Sequence, residues 1–201
     1  MKAAIFDLFG TLVHIDSPTW PYRELLRHAT HPQARELAMT SALAPAKLAS
    51  AVGANVSAAD LAAFEQAVEA EVDRIRVYDD TRDTLALLRD AGFVIIVSSN
   101  LAKPYAAARN LLGDLVDYWN FSFDTGVLKP NPQMFTAPAA AFGVRPHRCI
   151  VIGDSLASDA AGAQAAGMPF ILVDRAGRHA PHAGVTHLSH LFDKVMETLP
   201  G

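Results

Sequence analysis

The chain has very little cysteine and no long apolar run. Among its 201 residues Cys149 is the single cysteine, which excludes an internal disulfide and a thiolate metal cluster. No window reaches the roughly 18 apolar residues that are needed to cross a bilayer. The opening residues MKAAIFDLF contain an apolar run too short for the core of a signal peptide. These absences predict a cytoplasmic protein without a membrane partner.

Runs of basic residues are missing as well. The sequence has 17 lysines and arginines against 21 aspartates and glutamates, which gives a formal net charge of -4. A chain with this balance is not expected to bind nucleic acid or an anionic membrane surface, although local positive groups can still hold a small anion. We therefore expect a small-molecule substrate, and no feature of the sequence indicates an oligomeric state.

What the sequence does contain is a series of short apolar runs. Alanine-rich segments with helical spacing lie between most of these runs, which are AAIFDLF, VIIVSS, WNFSF, CIVIGD and FILVD. Apolar runs that alternate with helices are typical of a parallel sheet covered by helices. The pattern predicts an α/β fold with a parallel sheet of about five strands.

Strand-like runs are absent between Val13 and about residue 78. Amphipathic helices take their place, and the clearest of them has Ser57 and Asp60 as a start that resembles a capping box. Its apolar residues recur on one face, as in the core of a helical bundle, and they are Leu61, Phe64, Val68, Val72 and Ile75. We expect residues 1–13 and 81–201 to form the core domain and residues 14–80 to form an inserted helical lobe.

Polar and charged residues stand where the apolar runs end. In an open α/β sheet, ligands bind outside the carboxyl ends of the strands, so we expect these residues to meet at one edge of the sheet. They are Asp7, Ser99, Asn100, Lys129, Asp154 and Asp159. A lone aspartate at a strand end is more often a turn former or a helix cap, but agreement among four separate strand ends predicts a functional site.

The residue types suit the chemistry of phosphoryl groups. Asp7 and Asp154 can share a divalent cation that prefers oxygen ligands, such as Mg²⁺. Lys129 supplies a compact positive charge, and the Ser99 hydroxyl and the Asn100 backbone can donate hydrogen bonds to phosphoryl oxygens. Asp7 can then attack phosphorus and form an acyl phosphate.

Four stretches of the chain resemble the sequence motifs of the haloacid dehalogenase superfamily. In order, they are FDLFGTL, VSSN, GVLKPNP and GDSLASD. The resemblance extends from residue 3 to about residue 174. It implies a Rossmann-like core sheet and a small helical cap, of the C1 subgroup, inserted between the first and second motifs.

The resemblance also implies roles for individual residues. Asp7 is the expected nucleophile, Ser99 binds the transferred group, and Lys129 stabilises the nucleophile and the intermediate. Ser99, Asn100 and Lys129 together form the expected substrate-binding set. The implied activity is Mg²⁺-dependent hydrolysis of a small phosphorylated metabolite through an aspartyl-phosphate intermediate.

Phe9 departs from the pattern of the family's phosphatases. By resemblance, Mg²⁺ is held by the Asp7 side chain, the Phe9 backbone carbonyl and Asp154, with Asp159 supporting it. The phosphatases and mutases of the family typically have a second aspartate at the position of Phe9, where it transfers protons to the leaving group and from water. General acid–base catalysis of this kind is worth roughly 10²–10⁴-fold in rate. The metal ligand survives the change because it is a main-chain oxygen.

Three interpretations of Phe9 stay open at this point. The first is a phosphatase that is weakened or uses another acid, such as His14, Asp16 or a residue of the cap. The second is a 2-haloacid dehalogenase, because halide departs without a proton and relatives of that kind often have an aromatic residue here. The third is a non-catalytic protein that binds a phosphorylated ligand or a protein partner. Those dehalogenases work without metal and usually replace GD in the fourth motif with a serine and asparagine pattern, whereas this chain keeps Gly153, Asp154 and Asp159.

Several histidines lie near the C-terminus of the sequence. They are irregularly spaced, which does not favour a metal site, and they are His179, His182, His187 and His190. We expect them in surface loops and a last helix.

Overall fold

A parallel sheet forms the centre of the molecule. The computed structural model describes residues 1–179 and 184–199. Its strands are, in chain order, β1 (Lys2–Phe6), β2 (Val13–Ile15), β3 (Ile75–Val77), β4 (Phe93–Ser99), β5 (Tyr118–Phe121), β6 (Cys149–Gly153), β7 (Phe170–Val173) and β8 (Gly184–Val185). Six of them make the sheet in the order β5-β4-β1-β6-β7-β8, and β2 pairs with β3 in a separate two-stranded antiparallel sheet. The predicted α/β class is confirmed, and the main sheet has one strand more than expected, because β8 has only two residues and no apolar run. The expectation of no strand between Val13 and about residue 78 was wrong, because β2 and β3 have three residues each and are too short to appear as apolar runs. Ile75, which was expected on a helix face, lies in β3.

The middle strand β1 sets the position of the site. It pairs in parallel with β4 and β6, so that Phe6 lies beside Val97 on one side and Ile152 on the other. Residues 3–6 are fully buried, as expected for a strand that is covered on both faces. Asp7 therefore leaves the sheet between the ends of β4 and β6, where Ser98 and Asp154 also lie.

Ten α-helices accompany the strands within residues 1–179 and 184–199. They are α1 (Pro21–Arg27), α2 (Ala34–Thr40), α3 (Pro45–Ala51), α4 (Ala58–Val72), α5 (Thr81–Asp90), α6 (Arg109–Leu112), α7 (Ser122–Thr125), α8 (Gln133–Ala141), α9 (Ala161–Ala165) and α10 (Leu191–Thr198). One face of the sheet packs on apolar side chains of α5 and α10, such as Leu88 and Val195. The other face packs on α8 and α9, through residues such as Met134 and Ala163. Helices thus cover both faces of the sheet.

In sequence, helices α1 to α4 lie between β2 and β3. They have an apolar cluster of their own, which includes Phe64. The predicted capping box of α4 is confirmed: the Ser57 hydroxyl accepts from Asp60 N at 3.1 Å, and an Asp60 carboxylate oxygen accepts from Ser57 N at 3.1 Å. The helices also touch the core, since the Ser122 hydroxyl donates to the Met39 carbonyl at 2.6 Å. The division of the chain at residues 14 and 80 stays a prediction.

No helix in the described part of the chain has the length and apolar character needed to cross a membrane. Near the C-terminus, His187 precedes a short 3₁₀ turn that leads into α10, and His190 is the last residue of that turn. His179 lies in the loop after β7, and His182 lies outside the described residues.

Candidate active site

The predicted nucleophile Asp7 lies directly after β1, at the carboxyl edge of the sheet. Its backbone N–H donates to the Ile152 carbonyl of β6 at 2.8 Å, so the neighbouring strand still fixes its position. The chain then turns through Gly10, whose φ is +83°, a conformation that costs glycine little. A Cβ atom at Gly10 would overlap the carboxylate of Asp154. Gly10 therefore allows this turn to approach Asp154 closely.

Lys129 lies between two carboxylates. Its ammonium nitrogen is 2.6 Å from Asp7 Oδ1 and 2.7 Å from Asp159 Oδ1, and it donates to the Ser98 carbonyl at 2.9 Å. Burial by itself lowers the pKa of Lys129, but the charges of Asp7 and Asp159 outweigh burial and raise the pKa. Lys129 is therefore a buried cation, and each of its three N–H groups has an acceptor.

Ser99 and Asn100, at the end of β4, have different partners. The Ser99 hydroxyl donates to Asp7 Oδ1 at 3.3 Å. The Asn100 side chain bonds to the backbone of Lys129, accepting from its N–H at 2.8 Å and donating to its carbonyl at 3.0 Å. The structure thus brings Asp7, Ser99 and Lys129 into contact, whereas the Asn100 side chain positions Lys129. Their catalytic and substrate-binding roles stay predictions.

Asp159 lies in one turn of π-helix, Leu156–Ala160, that leads into α9. Ser155 caps this turn, since its hydroxyl accepts from Ser158 N at 3.2 Å. The Ser155 N–H also donates to Asp159 Oδ2 at 3.1 Å, and a Cβ atom at Gly153 would overlap the Asp159 carboxylate. Both oxygens of Asp159 are thus held, one by Ser155 and the other by the lysine.

Asp154 and Asp159 form an acidic cluster with Asp7. One carboxylate oxygen of each residue lies within 4.8 Å of the other two. Burial and the charge of Asp7 raise the pKa of Asp154. Burial also raises the pKa of Asp159 to about 6, against the opposing effect of Lys129. Three carboxylates beside one ammonium group repel one another, and a divalent cation with oxygen ligands would offset that repulsion. The donor set fits Mg²⁺.

Phe9 occupies the position of the missing acid and packs against another aromatic side chain. Its ring meets that of Tyr105 edge to face, with centroids 5.9 Å apart. The Tyr105 hydroxyl donates to Glu71 of α4 at 2.6 Å. The other Glu71 oxygen accepts from the backbone and hydroxyl of Thr19 and from the backbone of Trp20. Although burial raises the pKa of Glu71, these hydrogen bonds outweigh it and lower the pKa. Glu71 is therefore a buried carboxylate that joins α4 to Tyr105 beside Phe9.

The two other candidates for the missing acid are His14 in β2 and Asp16 just after it. His14 Nε2 is 3.1 Å from Asp16 Oδ1, and both side chains are partly exposed. The His14 ring packs against that of Tyr78, with centroids 4.5 Å apart and the ring planes tilted by 33°. Asp16 also lies 3.8 Å from Arg76. Across residues 1–179 and 184–199, neither His14 nor Asp16 makes a hydrogen bond to Asp7.

Sequence reasoning missed an ion pair between Asp80 and Arg175. The Arg175 guanidinium donates to both Asp80 oxygens, at 2.6 and 2.9 Å, and to the Thr11 carbonyl at 2.8 Å. It also lies 4.0 Å from the ring centroid of Tyr78. Burial raises the pKa of Asp80, but the bonds from Arg175 and Leu188 outweigh it and lower the pKa. The pair joins the exit of the helical insertion to the turn after Asp7. Asp80 stands 95 residues from Arg175, so no local pattern could have revealed it.

Comparison with known proteins identifies the family of the chain. A family model described as haloacid dehalogenase-like hydrolase matches residues 1–167. Ribulose-1,5-bisphosphate 5-phosphatase of Halopiger xanaduensis is 34% identical over 108 residues, which are 52% of this chain and 45% of that protein. The matched region therefore spans less than half the length of that relative.

Two solved structures have a similar fold over nearly the whole chain. A HAD phosphatase from Thermococcus onnurineus has a TM-score of 0.66 and 23% identity, covering 97% of this chain and 98% of its own. A 2-haloacid dehalogenase from Pseudomonas syringae pv. Tomato DC3000 has a TM-score of 0.71 and 21% identity, covering 98% of this chain and 99% of its own. At these identities the likeness shows the fold alone. Because the family model covers most of the residues, the chain belongs to the haloacid dehalogenase-like hydrolase family.

Proposed function

We propose that the protein is an Mg²⁺-dependent phosphatase-type hydrolase that acts on a small phosphorylated metabolite through an aspartyl-phosphate intermediate. One observation carries the proposal: Asp7 lies at the end of the central strand with the Lys129 ammonium 2.6 Å away and with oxygens of Asp154 and Asp159 within 4.8 Å. The phosphatase name of the Halopiger xanaduensis relative supports the same chemistry.

The contacts of Asp7 indicate how its carboxylate would act. Lys129 and Ser99 both bond to Oδ1, so they fix the carboxylate while Oδ2 stays free of protein hydrogen bonds among the described residues. Oδ2 would attack phosphorus, and the Ser99 hydroxyl would turn to donate to the transferred group. The positive charge of Lys129 lies beside the Asp7 carboxylate and would attract the phosphoryl oxygens.

The metal would be held by Asp7, Asp154 and the Phe9 carbonyl, with Asp159 behind them. No hydrogen bond to the Phe9 carbonyl is found within the described ranges, which leaves that oxygen available as a ligand. When bound, Mg²⁺ would supply positive charge that offsets the repulsion among the carboxylates and the incoming phosphate.

The test is hydrolysis of p-nitrophenyl phosphate with Mg²⁺ and with EDTA, for the wild type and for Asp7→Asn. We expect chelation and Asp7→Asn each to abolish turnover, because one removes the cation and the other the nucleophile. Asp90→Asn is a matched control at an exposed aspartate at the end of α5 and should keep wild-type activity. Turnover that survives Asp7→Asn or ignores EDTA would exclude the proposed mechanism.

Phe9 favours a second candidate, hydrolysis of a 2-haloacid, since its apolar ring would help to desolvate the nucleophile. Halide release from 2-chloropropionate tests it, and no release at high enzyme concentration removes it. A protein that only binds a phosphorylated ligand would show no turnover in either assay but would be stabilised against heat by Mg²⁺ with a phosphate analogue. The cytoplasmic location and the absence of nucleic-acid and membrane partners stay predictions.

A further inference from the structure

The protons around Asp7 are already engaged. The Lys129 ammonium has three N–H groups, and they donate to Asp7, Asp159 and the Ser98 carbonyl. The Ser99 hydroxyl donates to Asp7. Asp159 is 1% exposed and accepts hydrogen bonds on both of its oxygens. Among the residues that the structure describes, none of these groups has a proton free for a leaving group.

The position of Phe9 offers no proton either. The hydroxyl beside it belongs to Tyr105, and its proton is donated to Glu71 at 2.6 Å. Burial and the hydrogen bond to Glu71 raise the pKa of Tyr105 above its ordinary range. Glu71 is 1% exposed and accepts from Thr19 and Trp20 as well. The Tyr105 hydroxyl and Glu71 thus form a closed cap–core contact rather than an acid that faces the substrate.

His14 and Asp16 are the other candidate acids, and their contacts point elsewhere. His14 Nε2 pairs with Asp16, the His14 ring packs on Tyr78, and Asp16 lies beside Arg76. The Phe9 ring contacts Tyr105 instead. His14 and Phe9 therefore belong to two separate aromatic contacts in the described part of the chain.

We propose that the substrates are phosphoryl compounds whose leaving group departs as a stable anion without a proton: acyl, enol or aryl phosphates. This inference rests on the proposed phosphatase function. In the first step Asp7 forms a bond to phosphorus, the bond between phosphorus and the leaving oxygen breaks, and the electron pair leaves on a carboxylate, enolate or phenolate. Such anions are delocalised and need no general acid, whereas an alkoxide does.

The second step sets a different requirement. Water attacks phosphorus, the bond to Asp7 breaks, and the Asp7 carboxylate is regenerated. Both protons of the water stay on the product as dihydrogen phosphate, so the step balances without a protein base. It also lacks the rate gain that a base at position 9 would give. With acyl and aryl phosphates this step becomes the slow one, and the aspartyl phosphate accumulates.

The experiment compares kcat/KM for acetyl, p-nitrophenyl, phenyl and glycerol phosphates, together with the burst of p-nitrophenol in the first turnover. The variants are Phe9→Asp, which introduces a titratable carboxyl group, and Phe9→Asn, whose side chain has the size and polarity of aspartate but no titratable proton. We expect the wild type to show a burst and to act poorly on glycerol phosphate. Phe9→Asp should improve glycerol phosphate by about 10²–10⁴-fold, acetyl phosphate much less, and Phe9→Asn should give no such selective gain.

Several results would overturn this substrate class. One is a wild type that hydrolyses glycerol phosphate as well as p-nitrophenyl phosphate, and another is a Phe9→Asp variant that improves every substrate by the same factor. A His14→Gln variant that loses phenyl phosphate turnover but keeps acetyl phosphate turnover would identify His14 as the acid and would also overturn it. If Phe9→Asp does not fold, the burst and the dependence on leaving group in the wild type decide the question.

Failure of the proposed function has a different outcome. In that case no substrate of the series is hydrolysed, acetyl phosphate included, and no phosphoenzyme forms with acetyl phosphate. Failure of the substrate class alone leaves turnover and phosphoenzyme intact and removes only the dependence on the leaving group.

Discussion

Replacing Lys129 by methionine would test whether the site depends on the charge of this side chain or on its packing. Methionine keeps an unbranched side chain of similar length but removes the ammonium that lies 2.6 Å from Asp7 and 2.7 Å from Asp159. The side chains of Lys129 and Asp159 are 2% and 1% exposed, so water cannot replace the lost cation. The variant would retain two buried carboxylates without their shared partner.

The expected loss of stability follows from that burial. Removing one partner of a buried ion pair costs about 3–5 kcal/mol. For a chain of this size, each kcal/mol lowers Tm by about 2–4 °C, so we expect Tm to fall by about 6–20 °C at neutral pH. Lys47→Met is a matched control at an exposed lysine of α3 and should change the free energy of unfolding by less than about 0.5 kcal/mol.

The pH dependence separates charge from packing. Burial already raises the pKa of Asp159 to about 6 while Lys129 opposes that rise, and without Lys129 the pKa should rise further. A carboxyl group whose pKa is higher in the folded than in the unfolded protein destabilises the fold at pH values above its folded-state pKa. This destabilisation is lost as the pH falls through the folded-state pKa toward the unfolded-state pKa. The deficit of Lys129→Met should therefore shrink between about pH 7.5 and about pH 5.

Urea unfolding at both pH values, in EDTA, measures this deficit. An equal loss at the two pH values would show that methionine disturbs packing, and the account of Lys129 as the shared cation of two carboxylates would be refuted.

Two further substitutions test contacts around the site. Arg175→Met leaves Asp80 buried without the guanidinium that pairs with it and should lower the free energy of unfolding in urea by about 3–5 kcal/mol at neutral pH. Because pairing lowers the pKa of Asp80, this loss should fade as the pH drops below the ordinary carboxyl range. A loss that stays constant with pH would contradict the account of the pair. Gly10→Ala should cost about 1–3 kcal/mol through strain and should also weaken Mg²⁺ binding in calorimetry, because its methyl group would overlap Asp154. Gly92→Ala is the matched control, since φ there is +81° but no atom lies within 4 Å of the added Cβ; equal effects of the two substitutions on Mg²⁺ binding would disprove the contact with Asp154.

The α/β class and the position of Asp7 could be predicted because they depend on local patterns. Buried parallel strands appear in a sequence as continuous apolar runs, and the carboxyl ends of parallel strands meet at one edge. Asp7 and Ser99 stand where such runs end, Lys129 lies between β5 and α8, and the structure brings the three into contact. A run of two residues such as β8 has no pattern to detect, so the sixth strand was not predicted.

The partners of these side chains could not be predicted, because they depend on tertiary distances. The sequence suggested that the Asn100 backbone donates to phosphoryl oxygens, which stays a prediction. It gave no sign that the Asn100 side chain bonds to the backbone of Lys129, 29 residues away. Glu71 belonged to a helix whose apolar face indicated only bundle packing, yet its carboxylate bonds to Tyr105 in the core. A buried carboxylate in a cap helix gives no signal in a single sequence, since its burial depends on how the cap sits on the core.

The contact between Phe9 and Tyr105 connects the missing proton carrier to the cap. An aspartate at position 9 would place a charged group against the Tyr105 ring, which now meets Phe9 edge to face at 5.9 Å. The Tyr105 hydroxyl in turn donates to Glu71 of α4. An apolar side chain at position 9 therefore supports the packing of Tyr105 against α4 as well as the environment of Asp7. Phe9→Asp would therefore change two properties together: the supply of protons and the packing against Tyr105. Phe9→Asn changes the packing alone, so a comparison of the two variants assigns each effect to its cause.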